Sequence, residues 1–245
     1  MVETEVQIPR TEQAGEIPAI RVSQLTKTLD ERPVLRGIDL SINPGEYVAL
    51  LGANGAGKST LLRLLATLIP PTSGQIELFG KPLARNAATL RAKIGLIAHA
   101  SMLYRDLSAK ENLLFFAKLY EVKEPEERVV RMLRMVGLAD RANDPVKNFS
   151  RGMTQRVSIA RALLHDPELI LADEPFAGLD APSTTALEGL LSKLNAVGKT
   201  IILVNHDIDQ TLRLAERAII LRQGKIALDQ PTHRLYAREV LSEVM

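Results

Sequence analysis

Gly52-Ala53-Asn54-Gly55-Ala56-Gly57-Lys58-Ser59-Thr60 lies between the apolar run Tyr47-Val48-Ala49-Leu50-Leu51 and a stretch from Ser59 to Leu68 with helical periodicity. The run reads as a strand covered on both faces and the stretch as a helix, so the glycines make a strand-to-helix turn. Glycine there lets successive backbone N–H groups point inward, and the helix N-terminus adds its partial positive charge. The product is a cradle for phosphate. In it Lys58 would reach the β and γ phosphates of a nucleotide, Ser59 would offer its hydroxyl to Mg2+, and Thr60 would bond the α phosphate.

Two further runs, Leu169-Ile170-Leu171-Ala172 and Thr200-Ile201-Ile202-Leu203-Val204, are equally continuous and belong in the same parallel sheet. Ile20-Arg21-Val22, Ile38-Asp39-Leu40-Ser41-Ile42 and Ile76-Glu77-Leu78 instead alternate apolar with polar residues, which predicts half-buried strands of an antiparallel sheet. Between the parallel strands lies a helical block, Leu107 to Leu164. Ser108 with Glu111 forms a capping box opening a helix through Tyr120; Pro125 opens a second, closed by Gly137; a third is expected from about Thr154 to Leu164. The fold class is therefore α/β, a P-loop core with an antiparallel β subdomain and an inserted helical subdomain.

Composition removes several alternatives. The chain has 245 residues, with 31 Lys plus Arg against 29 Asp plus Glu, a net charge of +2. That balance excludes a nucleic-acid binder working by bulk charge. With no Cys, thiolate zinc sites, iron–sulfur clusters, disulfides and a cysteine nucleophile are all excluded. The longest apolar stretches fall short of the roughly 20 residues a spanning helix needs. Residues 1–16, with Glu3, Glu5, Glu12 and Glu16, read as a loose cytosolic extension rather than a secretory signal.

Asp173 and Glu174 follow the run ending at Ala172, at the carboxyl end of a buried strand, where open α/β sheets bind ligands. Asp173 would hold Mg2+, through water, and Glu174 would polarise the attacking water as general base. Upstream stands Asn148-Phe149-Ser150-Arg151-Gly152-Met153-Thr154-Gln155-Arg156. At this point the chain resembles the ATP-binding-cassette ATPases, whose signature reads Leu-Ser-Gly-Gly-Gln. Ser150 and Gly152 match it, while Arg151 and Met153 depart. The resemblance continues through Phe176-Ala177-Gly178-Leu179-Asp180 at the D-loop position and Val204-Asn205-His206-Asp207 at the switch-histidine position.

The resemblance implies an ATPase domain over residues 17–230, with the helical subdomain about 107–164 and a short tail at 231–245. It implies ATP and Mg2+ as cofactors and head-to-tail pairing of two copies. Ser150 and Gly152 of one copy would then face the γ phosphate on the P-loop of the other, and Asp180 would cross the interface. A helix N-terminus with a free hydroxyl and a Gly backbone suits that partner chemically. His206 would contact the γ phosphate and orient the water with Glu174. The remaining histidines have plainer readings. His165 ends a helix, where interaction with the helix C-terminus suffices, and His233 lies in the polar tail.

Two departures narrow the resemblance. His99 stands where most cassettes carry a Gln that touches Mg2+, and an imidazole is a poor ligand for so hard a cation. His99 would act through water or in the coupling loop. The position near Leu29, where many relatives stack adenine on an aromatic ring, is aliphatic, which predicts weaker discrimination between ATP and GTP. With the Ser-Arg-Gly-Met signature, these features look most like the haem-exporter ATPases of cytochrome c maturation, the CcmA type. That type implies CcmB-like and CcmC-like membrane partners and a peripheral position on the cytoplasmic face of the cell membrane. Antibiotic and lipid export ATPases share the short tail and degenerate signature.

Overall fold

The computed structural model describes residues 17–98 and 100–235. In chain order the elements are β1 (Ile20–Leu29), β2 (Arg32–Ile42), β3 (Tyr47–Leu51), α1 (Lys58–Leu65), β4 (Ser73–Leu78), β5 (Lys81–Pro82), α2 (Leu83–Arg91) and β6 (Ile94–Ile97). They continue with α3 (Ala109–Leu119), α4 (Pro125–Met135), α5 (Arg151–Leu163), β7 (Leu169–Asp173), α6 (Ala181–Ala196), β8 (Thr200–Val204), α7 (Ile208–Leu214), β9 (Arg217–Arg222) and β10 (Lys225–Pro231).

The larger sheet has the order β10-β9-β3-β8-β7-β6, parallel except for the antiparallel edge strand β10. Alternate residues of its central strands enter two different cores. Tyr47, Ala49 and Leu51 join Ile170, Ala172, Ile201 and Leu203 under the inserted helices. Val48 and Leu50 join Leu169, Leu171, Ile202 and Val204 against α1 and the smaller sheet. Burial on both faces is why these strands carry no polar alternation. The smaller sheet, β2-β1-β4-β5, is antiparallel and apolar on one face only, through Ile20, Val22, Leu35, Ile38 and Leu40.

The helices α3, α4 and α5 lie between β6 and β7 in sequence. At α3 the Ser108 Oγ accepts from Glu111 N at 3.1 Å and the Glu111 carboxylate accepts from Ser108 N at 2.8 Å. Pro125 occupies the first turn of α4, and Gly137 follows that helix with φ +66°.

Two sequence boundaries are corrected. The helix after the glycine loop ends at Leu65, not Leu68, because Thr67 turns left-handed (φ +62°) and Leu68 N donates back to Arg63 O at 2.9 Å. That is a Schellman-type stop. The helix expected from Thr154 begins at Arg151, because Ser150 is its N-cap and accepts from Met153 N at 3.2 Å. β9 and β10 were not anticipated as strands; a tight turn at Gln223-Gly224 joins them.

Candidate functional site

The carboxyl ends of β3, β7 and β8 converge. Leaving β3, the chain enters Gly52 at φ +146°, and a Cβ there would lie 2.2 Å from the Leu221 carbonyl oxygen. No other residue fits that turn. The loop closes on Gly57, the left-handed N-cap of α1, so the first-turn amides of α1 line the loop.

Lys58, only 9% exposed, folds back and donates from Nζ to Gly52 O at 2.6 Å and Ala53 O at 2.9 Å. Two of its three protons hold the loop shut and one is left for a phosphate oxygen. Burial pushes the Lys58 ammonium down from its ordinary pKa, opposed by the nearby carboxylates of Asp173 and Glu174.

Ser59 Oγ donates to Asp173 Oδ1 at 3.2 Å, joining the start of α1 to the end of β7. Burial raises the Asp173 carboxyl, with the Ser59 bond pulling the other way. A hydroxyl beside a carboxylate is an oxygen donor pair that fits Mg2+. Among the described residues no three His, Cys, Asp or Glu side chains cluster to hold a metal by themselves, so this pair needs further ligands, which phosphate oxygens and water can supply.

Glu174, next in the chain, sits at φ +54°, a left-handed conformation costing about 1 kcal/mol or more for a residue with a side chain. Its backbone N donates to Val204 O at 2.8 Å, which fixes it to the end of β8. His206, two residues past Val204, donates from Nε2 to Glu174 Oε1 at 2.7 Å. The carboxylate that can accept a proton from water is thus held by the imidazole N–H.

A second group forms around the start of α5. The Ser150 hydroxyl is not free, as its oxygen caps Met153, but its proton remains available to a partner. A Cβ on Gly152 would stand 2.8 Å from Gly178 O, so glycine lets the first turn of α5 touch the turn before α6. Gln155 Nε2 donates to Pro175 O at 3.0 Å at the same junction. Asp180 is the N-cap of α6, accepting from Ser183 N at 2.9 Å, and the Ser183 hydrogen bonds hold its carboxyl below the usual range. Arg105, Lys147, Phe149, Arg151, Gln155 and Glu174 line a cavity of about 280 Å³ between the two groups.

His165 lies just past the end of α5, as the sequence reading has it, but more than the helix end holds it. It stacks on Tyr120 with ring centroids 4.0 Å apart and donates from Nε2 to Ile94 O at 3.0 Å. Burial pushes its pKa down, helped by Arg161 and Arg128 and opposed by the hydrogen bond to Ile94; the net shift favours the neutral ring. His99 lies outside the described residues, as do residues 1–16 and the tail beyond 235. Leu29 ends β1 at 37% exposure.

Sequence reasoning missed Gln155 and Gln210. The second had a readable signal: Asp207 followed three residues later by Gln is a capping pattern, and Asp207 does accept from Gln210 N at 2.9 Å.

A parallel sheet whose strand, glycine loop and helix are built this way defines a P-loop nucleotide hydrolase. The comparisons define the class further. A family model described as ABC transporter matches residues 35–177. The linearmycin resistance ATP-binding protein LnrL of Bacillus subtilis is 35% identical over 209 residues, covering 84% of this chain and 67% of that protein. A Nod factor export ATP-binding protein of Sinorhizobium fredii is 34% identical over 229 residues, 93% of this chain and 67% of that protein. Among solved structures, a dimeric ATP-binding cassette in a post-hydrolysis state with ADP and Pi superimposes with a TM-score of 0.80 at 32% identity, over 87% of this chain and 98% of that one. The chain belongs to the ATP-binding subunits of ABC transporters. It is an ATP hydrolase, the motor subunit of such a transporter.

Proposed function

We propose that Gly52 to Thr60 hold the phosphates of ATP, that Ser59 and Asp173 hold Mg2+, and that Glu174 is the general base. The observation that carries this is the chain of contacts at the strand ends: Lys58 inside the loop, Ser59 on Asp173, and Glu174 on His206. Glu174 accepts a proton from the attacking water, and His206 keeps its carboxylate aimed while facing the γ phosphate. Lys58 presents its remaining proton to the β and γ phosphates as a fixed positive charge. Mg2+, when bound, offsets the charge of the phosphate oxygens.

Ser150 and Gly152 bond with Met153 and pack on the turn at Gly178, and Asp180 caps its own helix. Their exposed N-terminal surface supports action in trans, on nucleotide held by a second copy paired head to tail. A solved relative is itself dimeric. The test mixes two variants. Lys58→Ala disables the P-loop and Ser150→Arg blocks the signature; in a head-to-tail heterodimer one site carries both defects and the other none. ATPase activity of the mixture should rise well above that of either variant alone, and a mixture no faster than its components contradicts trans action.

Nothing in the described residues is a helix long and apolar enough to cross a membrane. This supports a peripheral subunit that docks on separate membrane proteins at the cytoplasmic face. Similarity to linearmycin resistance and Nod factor export proteins supports an exporter of antibiotic or lipid-like molecules. The Ser150-Arg151-Gly152-Met153 signature and His99 support the haem exporter of cytochrome c maturation, with CcmB-like and CcmC-like partners. Identifying the membrane proteins that co-purify, and assaying c-type cytochromes after loss of the subunit, separates them. Unchanged cytochromes with an unrelated permease sink the haem reading.

A further inference from the structure

His206 is 62% exposed, so packing does little to aim its ring at Glu174. The aim must come from the loop Asn205–Asp207 that joins β8 to α7. Both neighbours of His206 are tied to one residue further on, Asn205 to its side chain and Asp207 to its backbone N–H. Asn205 Nδ2 donates to Gln210 Oε1 at 2.6 Å, and Gln210 N donates to Asp207 Oδ1 at 2.9 Å. Thr211 Oγ1 adds a bond to Asp207 O at 2.6 Å. Gln210 is 7% exposed, and its side-chain amide makes a second bond: Nε2 donates to Glu188 Oε1 at 2.6 Å. A carboxylate only accepts and the Asn205 NH2 only donates, so these two partners fix which end of the Gln210 amide faces which.

Glu188 lies on α6, the helix that Asp180 caps. The Glu188–Gln210–Asn205 relay thus runs from the helix behind the D-loop turn to the residue beside His206. We propose that Gln210 is a positioning residue for ATP hydrolysis, setting the loop so that His206 Nε2 reaches Glu174, with Glu188 as its anchor. The inference rests on the roles given above to His206 and Glu174. It adds a residue that touches neither nucleotide nor water and acts through Asn205 and the backbone of the loop.

The experiment is steady-state ATP hydrolysis by the full chain, separating kcat from KM. Gln210→Met keeps the volume and removes both side-chain bonds; kcat should fall about ten-fold or more while KM for ATP stays within about two-fold, since a misaimed group loses rate rather than affinity. Gln210→Glu sets two carboxylates against each other and should be slow as well. The double variant Glu188→Gln/Gln210→Glu reverses donor and acceptor: the new amide donates to the new carboxylate, which still accepts from Asn205. It should recover most of the wild-type kcat, whereas a merely structural role would leave the folded Gln210→Met protein with wild-type kcat.

A double variant as slow as Gln210→Glu, or a Gln210→Met protein with wild-type kcat, overturns the proposal. Because the swap keeps every polar partner, it decides the matter even if Gln210→Met folds poorly. His206→Ala is the control on the underlying reading: full activity there overturns both, whereas an inactive His206→Ala beside a fully active Gln210→Met overturns only the role of Gln210.

Discussion

His165 reads as a residue at a helix end, where interaction with the C-terminus suffices, yet Tyr120 stacks on it, Ile94 of β6 bonds it, and its Nδ1 is buried with no partner among the described residues. Enclosure depends on contacts from Ile94 and Tyr120, 71 and 45 positions away, which no local pattern contains. The consequence is a pH effect with a definite sign. The folded pKa lies below the ordinary 6.5, so above about pH 6.5 both states are neutral and the contribution is complete. As pH falls below that value the unfolded chain takes up the proton first, and stability is lost by at most ~1.4 kcal/mol per pH unit until the folded pKa is passed. Unfolding by denaturant at pH 7.5 and 5.5 should show wild type losing its margin over His165→Gln in the acid; a margin independent of pH contradicts the buried neutral ring. The places of Lys58, Ser59, Asp173 and Glu174 are legible in the sequence for the opposite reason. Lys58 and Ser59 sit at fixed offsets from β3 at the start of α1, and Asp173 and Glu174 at the end of β7, which local spacing records directly.

Among the elements, helix starts were read well where a cap announces itself in both directions. Ser108 and Glu111 reciprocate across the first turn of α3, and removing the hydroxyl by Ser108→Ala should lower stability by about 1 kcal/mol. Thermal or denaturant unfolding checks this, and a change below a few tenths of a kcal/mol would mean that the cap is replaced by other contacts. At α5 the Ser150 cap works in one direction only, and Arg151, Gly152 and Met153 lack helical apolar spacing, so the sequence places the start of this helix three residues late. The correction matters for function: with Ser150 at the N-cap, the free amides of the first turn stand beside its hydroxyl and Gly152, so helix and side chain present donors in the same place. β9 and β10 escaped notice since Ala218 to Leu221 is a four-residue apolar run between charges, too short to separate strand from helix by period alone.

For the whole molecule, the two-faced sheet explains why the functional groups come together. Parallel strands β3, β7 and β8 all deliver their carboxyl ends to one edge, so the glycine loop, the acidic pair and the histidine meet although they are far apart in sequence. The inserted helices carry the start of α5 against the turn that follows β7, and a net charge of +2 leaves a local grip, as proposed above, rather than a basic face to hold a polyanion. Glu174, held by His206, is the proposed base of this ATP hydrolase. Glu174→Gln keeps the size and loses the basicity. This variant should bind ATP as wild type does, while single-turnover hydrolysis slows by about 100-fold or more; hydrolysis at the wild-type rate would remove Glu174 as the base.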